Sequence, residues 1–179
     1  MPIEEYVKDA PAKKGVRVLV EMKSIQSDMT GVGFFTLKKD APESLLSEVK
    51  GGEKLEYELA SEGIIELSEG RLSLSYEENA IEGSEGCSTV ISFDVAAPEC
   101  VTVERRGLLS SVFVISKGER LFSLYSTPYG ALDMCIYAKK VENTLTEEGG
   151  ALFLDYAVEL KGLTAQRTRM EVKVRKLLQ

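Results

Sequence analysis

The stretch EEGGALFLDYAVEL, residues 147–160, decides the fold. Leu152, Leu154, Tyr156, Val158 and Leu160 fall on one side of a period of two, and Phe153, Asp155, Ala157 and Glu159 on the other. Alternation sustained over this length marks a strand with one face buried, because successive side chains point to opposite sides of a pleated backbone. The Glu148-Gly149-Gly150 triplet in front of it supplies turn residues.

The same pattern repeats outward from this strand. Leu72, Leu74 and Tyr76 alternate with Ser73 and Ser75; Val101 and Val103 alternate with Thr102 and Glu104; Leu132, Met134 and Ile136 oppose Asp133, Cys135 and Tyr137. Between the runs lie Glu69-Gly70, the 82–86 segment, Ala97-Pro98, Lys117-Gly118 and Lys161-Gly162, all with turn chemistry. Links this short join antiparallel neighbours, since parallel strands need a long crossover. With Val16–Gln26 at the start and Thr168–Lys176 at the end, the spacing predicts an up-and-down meander. A long meander closes on itself because closure removes exposed edges. The expected fold is all-β, a closed antiparallel up-and-down β-barrel of about 8–10 strands, built as one domain over residues 1–179.

One segment departs from this pattern. In KKDAPESLLSEVKGG (38–52), Asp40 and Glu43 have capping-box spacing, Pro42 sits in the first turn, and Leu45, Leu46 and Val49 form an apolar stripe ended by Gly51-Gly52. This predicts a short helix within an insertion at 27–53, between the first two strands, either plugging one barrel end or covering a cavity.

Composition narrows the chemistry. The 179 residues carry 22 Lys and Arg against 29 Asp and Glu, a net charge of −7. Only the tail, with Arg167, Arg169, Lys173, Arg175 and Lys176, is a basic segment, and these residues alternate with Met170, Val172 and Val174. That is the solvent face of a strand rather than a phosphate-neutralising surface, so no nucleic-acid partner is expected. The N-terminal MPIEEYVKDAPAKKG lacks an apolar signal core, and no later run is long enough to span a bilayer. The expectation is a cytoplasmic protein with no membrane partner, as a monomer or homodimer. Cys87, Cys100 and Cys135 have no paired spacing and read as free structural thiols.

Histidine is absent from the sequence, which removes the commonest general base and the commonest transition-metal ligand. Glu77 and Glu78 are adjacent on a strand and point to opposite faces, so they do not form a catalytic pair. No phosphate loop, dinucleotide fingerprint, nucleophile elbow or calcium loop occurs. No catalytic residue, metal or cofactor is expected.

VTVERRG (101–107) is more informative. Val101 and Val103 define the inward face, and Arg105 falls in their phase while Glu104 and Arg106 point out. A guanidinium on an apolar face is costly without acceptors. Either Arg105 is an anchor paired with Glu78, Asp155 or a carbonyl near the barrel mouth, or it binds an anionic ligand group within the barrel.

Taken in order, LSLSYEE, EGSEGCSTVISFD, VTVERRG, STPYGALDM and EEGGALFLDYAVEL resemble the YwiB-like family, a domain of unknown function in Firmicutes and related bacteria, over roughly residues 55–175. The resemblance implies a closed barrel of calycin, or lipocalin-like, type in small intracellular proteins with no established activity. Its motif positions fall here on Tyr76, Glu77, Glu78, Arg105, Gly107, Thr127, Pro128, Tyr129, Gly130, Gly150 and Tyr156. The sequence departs from the family pattern in the 27–53 insertion. In STPYGALDM, Pro128 presets the turn, Gly130 starts the next strand, and Tyr129 either covers the barrel end or offers its hydroxyl to a ligand.

The functional expectation is a non-enzymatic barrel that binds a small apolar or anionic ligand. Arg105, Tyr76, Glu78, Tyr129 and Tyr156 are the candidate ligand-binding residues. The alternative is a structural or protein-interaction module whose barrel is filled with side chains. An enzyme would need Glu78 or Asp155 beside Arg105, with Tyr76 as proton donor.

Overall fold

Each period-two run is a strand in the computed structural model, which describes residues 15–29, 54–79, 85–107, 110–127, 130–160 and 163–178. The strands are β1 (Val16–Asp28), β2 (Lys54–Ser68), β3 (Arg71–Glu77), β4 (Ser88–Asp94) and β5 (Cys100–Arg106). They continue with β6 (Ser110–Ser116), β7 (Arg120–Thr127), β8 (Gly130–Asn143), β9 (Gly149–Leu160) and β10 (Leu163–Lys176). All neighbours are antiparallel, each strand pairs with the next in the chain, and β1 closes the ring against β10. The expected up-and-down barrel is therefore the observed one.

Turn chemistry sets the registers. Ser68 pairs with Arg71, leaving Glu69 and Gly70 as a two-residue loop, and both have positive φ, 52° and 79°. This is the turn whose twist matches that of two antiparallel strands, and it explains why a glycine is needed there. Bulges interrupt β8 between Ala138 and Lys140 and β10 between Thr164 and Gln166. The first leaves Lys139 and Lys140 both exposed and returns Val141 to the buried face.

β1 and β10 are longer than the alternation suggests, for Asp28 still pairs with Gln166. Polar Ser24, Gln26, Gln166 and Thr168 occupy the inward phase there, so the hydrophobic signal fades while the hydrogen-bonded ladder continues. The predicted helix at 38–52 and the turn residues Pro128 and Tyr129 lie outside the described residues. Among those described, no helix is long and apolar enough to cross a membrane.

The interior is a single apolar cluster at one end. Val18, Ile65, Leu74, Ile91, Val101, Leu152, Leu154 and Val172 are all sealed from solvent. This end, where β3 begins and β5 begins, is the floor. The opposite end, where β3 and β5 finish, is the mouth.

Candidate functional site

Along each strand the inward row changes character from floor to mouth. β4 reads Phe93, Ile91, Thr89; β5 reads Val101, Val103, Arg105; β10 reads Val174, Val172, Met170, Thr168, Gln166. β3 follows Leu72 and Leu74 with Tyr76 and, just past its end, Glu78. Ser24, Tyr57, Ser111 and Tyr156 continue this polar region on β1, β2, β6 and β9. On β8, Met134 opposite Ser123 and Ala138 opposite Tyr156 are apolar and buried. A belt of polar groups thus lines the barrel just inside its mouth.

The belt holds two hydrogen-bonded groups. In the first, the buried Glu78 carboxylate accepts at Oε2 from Arg105 Nε at 2.9 Å, with Arg105 Nη2 in ion-pair contact at 2.6 Å, and at Oε1 from Thr89 Oγ1 at 2.5 Å. Tyr76 is opposite Thr89 in register and bonded to it through the side chains. The threonine has one proton and gives it to the carboxylate, so the tyrosine hydroxyl donates to Thr89. Backbone bonding fixes the corner, with Glu78 N–H donating to the Cys87 carbonyl at 2.9 Å. Gly107, two residues after Arg105, has φ of 144°, and a Cβ there would lie 2.6 Å from the Cys87 sulfur. Only glycine lets the end of β5 lie this close to Cys87 and so holds Arg105 over Glu78.

In the second group, Gln166 Nε2 donates to Thr168 Oγ1 at 2.9 Å, and Tyr156, opposite Thr168, is bonded to that residue as well. Tyr156 is close enough to Tyr76 to act on its hydroxyl electrostatically. Burial pushes the Tyr76 hydroxyl far above its ordinary pKa, with the Glu78 charge adding to the effect. Burial also raises Tyr156, and raises Tyr57 against the opposing charge of Arg105. All three phenols are therefore protonated donors at neutral pH.

Of the sequence-derived candidates, Tyr76, Glu78 and Arg105 form one connected chain and Tyr156 faces it. Arg105 is paired with Glu78, one of the partners the sequence offered. Tyr129 lies outside the described residues. Asp155 requires a correction: it is on the outer wall, in the phase opposite to Tyr156, and cannot meet Arg105. There it accepts a fork from Arg167, 2.9 and 2.7 Å to its two oxygens, with Arg169 at 3.6 Å. Glu77 is exposed while Glu78 is buried, as adjacent strand residues should be. Tyr57, Thr89, Ser111, Gln166 and Thr168 were not singled out by the sequence, although each sits in an apolar phase just as Arg105 does.

The basic tail lies on the outer face, where Arg167, Lys173 and Arg175 pair with Asp155, Glu171 and Glu21. The three cysteines are free, and burial, with Glu159 nearby, pushes the Cys135 thiol up, away from nucleophilic use at neutral pH. Among the described residues no group of acidic or cysteine side chains is placed to hold a metal ion.

The comparisons agree with this architecture. The crystal structure of the ywiB protein from Bacillus subtilis superimposes with a TM-score of 0.62 at 16% identity, over 93% of this chain and 95% of that one. At that identity the likeness is one of fold. No curated protein matches the sequence. A family model described as a domain of unknown function, DUF1934, matches residues 45–172, most of the chain, and the protein belongs to that family.

Proposed function

We propose that the protein is a non-catalytic barrel that binds a small molecule against the polar belt inside its mouth. The observation that supports this reading is the turning of polar side chains from eight of the ten strands towards the interior near the mouth, above a predominantly apolar floor. Stability alone gives no reason for such a belt. A part-buried ion pair such as Glu78–Arg105 is commonly matched or bettered by apolar residues of the same volume, and each polar group left unsatisfied there costs about 1–3 kcal/mol. A ligand that completes the hydrogen bonding gives the belt a use.

Binding suits these groups better than acid–base catalysis. Glu78 already accepts two hydrogen bonds and an ion-pair contact, and the phenols are pushed away from neutral titration. The closed chain Tyr76–Thr89–Glu78–Arg105 favours the competing reading of a filled, purely structural barrel, and one experiment separates the two. Native mass spectrometry of the protein as purified from bacteria, and again after incubation with a bacterial metabolite extract, should show a stoichiometric small-molecule adduct that Tyr156→Phe and Glu78→Gln weaken. A bare chain under both conditions means the belt is structural.

A further inference from the structure

The barrel wall is thin at one place. β6 and β7 are consecutive and long enough for a full hairpin, yet they pair only at Ser110–Ser126 and Ser111–Tyr125, next to the mouth. Their turn is tied elsewhere: Gly118 N–H donates to the Ala138 carbonyl at 2.9 Å, and Ala138 N–H to the Glu119 carbonyl at 3.3 Å. β7 therefore follows β8 through eight residue pairs while β6 follows β5 through six, and the two part below Ser111. The unladdered length, five residues on each strand, is about 16 Å.

Apolar side chains edge this slot on both faces. On the outside, Val112 and Phe122 are 48% and 88% exposed, although both lie in regular strand. On the inside, Val103 and Phe113 pack against the core cluster and still reach solvent, as does Leu121 opposite the buried Ile136. Inward residues of β9 and β10, Leu154 and Val172, are sealed. Ile115, deeper on β6, is sealed, so solvent reaches the interior only beside the upper part of the slot, directly under Arg105 and Ser111, which face each other in register. Among the described side chains, the inward charges at the belt are Glu78 and Arg105, which pair and leave it without net charge. A buried charge brought to such a surface loses its hydration and gains no counter-charge.

We propose that the ligand is an uncharged amphiphile that enters through the slot between β6 and β7, its hydrogen-bonding head against the belt and its apolar part between Phe113 and Leu121. This deepens the binding reading and rests on it. It also replaces the apolar or anionic ligand expected from sequence with a neutral one, because Glu78 answers the arginine that would have drawn an anion.

Two fluorescent probes on one skeleton test it: N-phenyl-1-naphthylamine, which is uncharged, and 1-anilinonaphthalene-8-sulfonate, which is anionic. The full chain should bind the uncharged probe at one site at least about tenfold more tightly than the sulfonate. Leu121→Asp should weaken the uncharged probe by about tenfold, whereas Val95→Asp, another exposed apolar site at the floor end, should leave it unchanged. Phe122→Ala, too exposed to disturb the core, should cost about threefold. Glu78→Gln should move the preference towards the sulfonate. Equal affinity for both probes, or indifference to Leu121→Asp and Phe122→Ala, overturns the proposal. If neither probe binds but a co-purified ligand is retained, the slot and the neutral ligand fail while the binding reading stands. If no ligand is retained either, both fail.

Discussion

Along the wall made of β8, β9, β10, β1 and β2, ladders run almost the full length of their strands, with eleven residue pairs between β1 and β10. Behind that wall Val18, Val20, Leu152, Leu154 and Val172 have no measurable exposure. Across the barrel, β6 and β7 share two pairs, and Val103, Phe113 and Leu121 behind them are only half-buried. One chain thus contains a sealed wall and one that is leaky over part of its height, for Ile115 of β6 is sealed. The difference teaches that closure of a barrel by topology does not make its interior uniform. Ladder length decides where the apolar effect is realised in full and where the interior stays reachable.

The largest test of that contrast is thermodynamic. Leu154→Ala removes a side chain that nothing can relax to replace and should cost about 3 kcal/mol in urea unfolding. Val103→Ala, on the leaky side, should cost about 1 kcal/mol, because part of its surface is already in water. Equal losses would mean that the two walls are equally packed and that the slot is closed in solution.

The next effect concerns the belt. Glu78→Gln leaves Arg105 against a weaker acceptor and should cost about 2 kcal/mol, below the figure for a fully buried pair because the arginine side chain is 32% exposed. The double variant Glu78→Leu, Arg105→Met should recover most of that loss, since an apolar pair replaces a desolvated one. A double variant as unstable as the sum of its parts would show that the pair is a stability element and remove the main argument for a ligand. The same urea curves read both contrasts.

The fold was legible because strands buried on one face announce themselves. The alternation at 151–160, 101–103 and 72–76 gave the strand positions, and Glu69-Gly70 gave a break between strands whose register the structure then supplies. Illegible parts have physical causes. The ends of β1 and β10 carry polar inward residues that erase the period, and nothing in the local sequence of SSVFVIS or RLFSLYST shows that two adjacent strands separate. That separation is decided by where the Lys117–Glu119 turn hydrogen-bonds, which is a tertiary matter. At the site, the rule that found Arg105, a polar residue in an apolar phase, also holds for Thr89 against Ile91 and Phe93 and for Thr168 against Met170 and Val172. Asp155 misled because its residue type suggested a site while its phase pointed outward.

The smallest effect falls on the sealed wall's outer face, and it sharpens the comparison by its size. The Arg167 fork holds the Asp155 carboxyl below its ordinary pKa, and the charges of Arg169 and Lys139 act in the same direction against a burial effect that opposes them. A carboxyl with a lower pKa in the folded state than in the unfolded chain favours folding above the unfolded value, near 4, and loses that advantage as pH falls through the folded value. Wild-type stability should therefore decline more steeply than that of Asp155→Asn as pH is lowered from 5 towards 3. At neutral pH the substitution should cost under about 1 kcal/mol, because the arginines are partly solvated. Identical slopes would show that the fork does not persist in solution. A loss approaching that of Leu154→Ala would be the more instructive failure, since it would move the strength of the sealed wall from its apolar lining to its outer ion pairs.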